Sequence, residues 1–106
     1  MTTDNIATNL DELTMKLERN HRQVLHLIKK LCSYRYEPKN YDCYIKLRDL
    51  QKGFKDLASD QMQLFDKIQQ HGVNATEAKQ LMDEAATRFI VLEKLMAQYI
   101  LDINGH

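Results

Sequence analysis

Apolar residues recur every three or four positions along this chain, in three stretches that together use nearly all of its 106 residues. The first reads Ile6, Leu10, Leu13, Leu17, Asn20, Val24, Leu27, Leu31, Tyr34. The second reads Cys43, Leu47, Leu50, Phe54, Leu57, Gln61, Leu64, Ile68. The third reads Ala78, Met82, Ala85, Phe89, Leu92, Met96, Tyr99, Ile103. Steps of four and three alternate without a slip, and only Asn20 and Gln61 are polar. A helix carries such a heptad stripe when one side is held against neighbouring helices along its length. Three stripes predict three long helices and leave little chain for a catalytic centre.

Helix breakers sit between the stripes. Pro38 cannot continue a helix and biases Glu37 toward extended geometry, so the first connection is expected over residues 33–40. His71-Gly72 should stop the second helix, with glycine free to take a left-handed cap. Asn74 offers an N-cap to the third helix, and Glu77 is placed to complete a capping box. The helices are expected over about residues 5–33, 41–70 and 75–102. Short connections between helices of matched length predict a single all-α domain over residues 1–106, an up-down-up antiparallel three-helix bundle with a coiled-coil-like core.

Antiparallel stripes must also meet in register. Matching them across the first loop sets Leu31 against Cys43, Leu27 against Leu47 and Val24 against Leu50. Across the second loop, Ile68 meets Ala78, Leu57 meets Phe89 and Leu50 meets Met96. In that register Asn20 shares a layer with Phe54 and Leu92, and Gln61 lies one heptad away beside Leu13 and Ala85. Each amide is then expected to satisfy itself separately, on a backbone carbonyl or water, because a buried amide left unbonded is costly.

Fifteen basic and fifteen acidic residues cancel, so no global field draws the chain to nucleic acid or to an anionic membrane. No apolar run approaches the ~20 residues that span a bilayer. The first residues carry neither the basic nor the apolar region of a signal peptide, which predicts a cytoplasmic protein with Cys32 and Cys43 as reduced, structural thiols. Metal-binding, phosphate-binding and nucleophile motifs are all missing from the sequence, so the expectation is a non-enzymatic protein with no cofactor and no metal.

Local composition is less even. Residues 16–56 hold eleven Lys/Arg against five Asp/Glu, a local charge of +6 balanced by −6 elsewhere. Four of the five tyrosines lie there, with Tyr34, Arg35, Tyr36, Lys39, Tyr41, Tyr44 and Arg48 clustered around the first loop. Tyrosine and arginine together give contact area with a polar handle, and are enriched where proteins bind one another. The same interleaving can stack single-stranded nucleic acid, which ranks below a protein partner at zero net charge. The last turns of the third helix are apolar beyond the core stripe. Ile90, Val91, Ala97 and Leu101 remain on its far side, and Leu25, Ile28 and Ile45 also lie off the stripes. A helix apolar on two faces is expected to be covered on both, here by another copy of the chain.

His26-Leu27-Ile28-Lys29-Lys30 resembles the His-x-Leu-Lys-Gly segment of histidine phosphotransfer domains, which are themselves small helical bundles; Lys30 stands at the glycine position. The resemblance implies His26 as an exposed phospho-accepting imidazole. The reading of the whole chain is a protein–protein interaction module, such as an adaptor, chaperone-like binder or assembly subunit. It would take an acidic amphipathic helix at the end formed by the first loop and the C-terminal turns of the third helix, and self-associate through the third helix; phosphotransfer at His26 is the alternative.

Overall fold

A computed structural model describes residues 2–33, 37–70 and 72–104, with the side chains of the first helix described from Leu10 onward. The described residues form three helices: α1 over Thr2–Leu31, α2 over Tyr41–Gln69 and α3 over Ala75–Asn104. Each packs on the other two, and among the described residues there is no strand. This is the expected three-helix bundle.

The heptad stripes are its core. Every described stripe residue is buried or half-buried; Val24, Phe54, Leu57 and Ala78 are fully enclosed. Ala58 is the one residue outside the stripes that is buried among those described. Phe54 and Phe89 meet edge to face with centroids 6.4 Å apart, an arrangement that suits the ring quadrupoles. Gly53 lets α3 come close, because a Cβ there would stand 2.7 Å from Leu92 Cδ2.

Helix ends follow local chemistry. Asn40, which the sequence reading left inside the loop, caps α2 by accepting the Cys43 N–H at 2.8 Å. Asn74 caps α3 as expected, accepting the Glu77 N–H at 2.8 Å. α1 ends at Leu31, two residues before the expected stop, and α3 runs two residues further, to Asn104. Gly72 is not left-handed. Its N–H instead closes on Lys67 O at 2.8 Å, wrapping the last turn of α2 without a positive φ.

α2 and α3 pack in the expected register. Lys46 bonds Asp102, Asp60 bonds Arg88, and Gly53 backs onto Leu92. The α1–α2 register, however, is one heptad away from the expected one. Gln51 Nε2 reaches Leu31 O at 3.5 Å, so Leu31 sits beside Leu50 and Gln51 rather than Cys43. Gln61 Nε2 donates to Asn20 Oδ1 at 2.6 Å, and Gln61 Oε1 accepts from His21 Nδ1 at 2.9 Å. Asn20 and Gln61 therefore pair directly, in place of the separate partners expected. A heptad stripe looks the same after a slip of seven residues, so apolar matching alone leaves the choice open. The slip that brings both amides into one layer satisfies a buried Gln61 that is only 1% exposed. Staggering lengthens the molecule to 59 × 20 × 17 Å, beyond the ~45 Å of a 30-residue helix.

Candidate functional site

The contacts between helices fix which columns of residues face where. On α2, Gln51 touches α1 at Leu31 and Cys32, and Phe65 meets the His21 ring at 5.9 Å. The seven-residue column Tyr44, Gln51, Ala58, Phe65 is therefore the α1 side of α2. On the other flank, Lys46, Gly53 and Asp60 touch α3 at Asp102, Leu92 and Arg88.

Tyr44 belongs to the α1 flank, one heptad beyond the end of α1, and it stays 42% exposed rather than closing the core. Its ring lies 6.3 Å from that of Tyr41, which is 73% exposed. One turn on, the Arg48 guanidinium stands 5.9 Å from the Tyr44 centroid and donates to its hydroxyl at 3.4 Å. Three side chains at helical spacing thus form one stacked, solvent-facing surface in which the arginine uses the ring's negative face. Lys39 is exposed in the adjoining loop. Tyr34, Arg35 and Tyr36 lie outside the described residues.

Arg48 continues as a column through Lys55 to Met62, and α1 supplies Leu25 and Lys29 on the same side; all are exposed. No acidic residue occurs between Arg19 and Tyr36. Glu18, at the lower edge, is bound to Arg22 at 3.7 Å. The α1–α2 flank is thus cationic with apolar patches.

The α3 flank of α2 is opposite in sign. Asp42, Asp49 and Asp56 recur at seven-residue spacing next to the Lys46–Gly53–Asp60 column, and all three are exposed. Facing them on α3 is Leu95, between Arg88 and Asp102. It is 53% exposed. Val91, 51% exposed, lies one turn away. A cavity of about 240 Å³ opens here between Lys46, Asp49, Leu50, Leu95, Gln98 and Tyr99. Burial and the neighbouring Cys43 thiol raise the Tyr99 phenol above its ordinary pKa of 10.0.

The surplus apolar residues of α3 therefore divide. Val91 borders the groove, while Ile90 and Leu101, 52% and 65% exposed, stand with exposed Ala97 on the outer crest. The Tyr44–Arg48 surface lies on the α1 flank of α2, and these crest residues lie on α3. Ile28 is accounted for by packing against the core, whereas Leu25 and Ile45 are exposed. Cys43 is buried and Cys32 exposed, both free thiols. His26 is exposed beside Arg22, Phe89 and Glu93 in the α1–α3 groove.

The acidic row was missed although its signal was in plain sight. Asp42, Asp49 and Asp56 share one heptad position, but a charge sum over residues 16–56 averages them with the cations beside them. Among the described residues no helix is long and apolar enough to cross a membrane. No protein-family model, curated protein or solved structure matches this chain.

Proposed function

We propose that this chain is a non-enzymatic protein-binding module of the cytoplasm, an adaptor or assembly subunit that binds through its first-loop end. The observation that carries the reading is the exposed Tyr41–Tyr44–Arg48 stack. Large aromatic surface left in solvent beside a guanidinium is the composition of binding hot spots. With Lys39, Lys52 and Lys55 nearby, it suits an acidic, partly apolar segment such as an amphipathic helix. Self-association belongs to the same reading, favoured by the apolar surface that α3 leaves exposed.

Quantitative capture from a native lysate tests it, comparing the wild type with Tyr41→Ala/Tyr44→Ala and with Arg48→Ala. Proteins bound by the wild type should be lost from the tyrosine variant, and their retention should weaken with salt. Capture identical for all three proteins would overturn the assignment of this end. Phosphotransfer is kept as a second reading on one observation, the exposure of His26 that a phospho-accepting imidazole requires. A phosphodonor such as acetyl phosphate should then label the wild type and leave His26→Gln unlabelled.

A further inference from the structure

α2 divides the molecule into two flanks of opposite sign, and the two charge rows share one spacing. Arg48 and Lys55 stand on the α1 side, Asp49 and Asp56 on the α3 side, each pair seven residues or ~10 Å apart along one helix. Each flank also carries exposed apolar surface: Tyr44, Leu25 and Met62 on the first, Leu95 and Val91 on the second. One flank bears a protruding ring, and the other has a cavity of about 240 Å³ at the height of Lys46 and Leu50. The formal net charge is zero, so two copies approach without mutual repulsion.

We propose that the protein assembles with itself by laying the cationic α1–α2 flank of one copy into the acidic α2–α3 groove of the next. Two parallel copies offset by a single residue set Arg48 against Asp49 and Lys55 against Asp56. The same offset brings Tyr44 to the mouth of the cavity beside Lys46 and Asp102. The contact is heterologous, since different surfaces meet, so it continues from copy to copy until it closes as a ring or runs on. It covers Val91 and Leu95 and leaves the α3 crest free. The inference rests on the self-association reading and moves the contact from the crest to the groove.

Sedimentation velocity on the full chain tests it. Wild-type protein at low salt should sediment faster as its concentration rises, and this should fade as salt screens the rows. Arg48→Glu/Lys55→Glu should sediment as a monomer, and so should Asp49→Lys/Asp56→Lys. Joining the four substitutions in one chain reverses both rows at an unchanged net charge, and assembly should return. All four sites are exposed, so helicity by circular dichroism should match the wild type throughout. Ile90→Glu/Leu101→Glu should leave assembly intact. If that crest variant is monomeric while the charge variants still assemble, self-association stands and the groove contact is wrong. A four-site variant that stays monomeric also overturns the groove contact. A wild type that is monomeric at low salt up to about 1 mM overturns self-association itself.

Discussion

Gln61 is the residue on which the register of this bundle turns. Its amide donates to Asn20 and accepts from His21, which places the imidazole proton on Nδ1. Among the described residues no buried side-chain nitrogen or oxygen lacks a partner, and in this layer the three side chains satisfy one another. Gln61→Ala should cost about 2–3 kcal/mol in chemical denaturation, through a cavity and an orphaned Asn20 amide. Asn20→Leu with Gln61→Leu should behave differently. Stability should hold or rise, because apolar replacement of a buried polar pair is often neutral or better. Register, however, should lose its definition. Spin labels on α1 and α2, in a Cys32→Ser background, should report one distance with the amides present. With both leucines they should report a second population displaced by up to about 10 Å, one heptad along the axis. A single unchanged distance would show that the amides do not choose the register. Tyr99 gives a pH prediction. Its folded pKa lies above the unfolded value, so its contribution is complete below pH 10.0 and is lost as pH rises through the folded pKa. Tyr99→Phe should therefore flatten the alkaline fall in melting temperature, and an alkaline limb unchanged by the substitution would contradict this.

At the scale of the element, the sequence was legible wherever a period or a breaker spoke alone. Three stripes announced three helices, Pro38 the first break, and Asn74 the start of α3. The α2–α3 register was also legible, because the connection from Gln70 to Asn74 is too short to permit a slip of seven residues. The longer α1–α2 connection permits two registers, and choosing by apolar match alone picked the wrong one. The deciding signal was present: Asn20 and Gln61 are the only polar stripe residues, and only one register brings them together. Side-chain facing on the flanks was less legible. A column's neighbour depends on which helix lies to its left or right, and heptads do not encode that. The caps offer a direct check at this scale. Asn40→Ala and Asn74→Ala should each cost about 1 kcal/mol in urea titrations, and the double variant the sum, since the two caps sit at opposite ends. A smaller loss for Asn40 would mean the loop holds the first turn of α2 without the side chain.

As a whole molecule, the chain has a net charge of zero that conceals two strong local fields divided by one helix. Surface ion pairs such as Lys46–Asp102 and Lys79–Asp83 add little stability individually. In the proposed assembly the exposed charge rows of α2 act between molecules, where sign and spacing choose the partner and the orientation. The central claim is that this bundle works through the two flanks of α2. The most direct measurement is backbone amide chemical shift followed by NMR as the protein is diluted at low salt. Shifts at Tyr44, Arg48 and Lys55 on one flank should move together with those at Asp49, Asp56, Val91 and Leu95 on the other, all with one dissociation constant. Concentration-dependent shifts confined to the second loop and the start of α3, from Val73 to Ala86, would contradict the account.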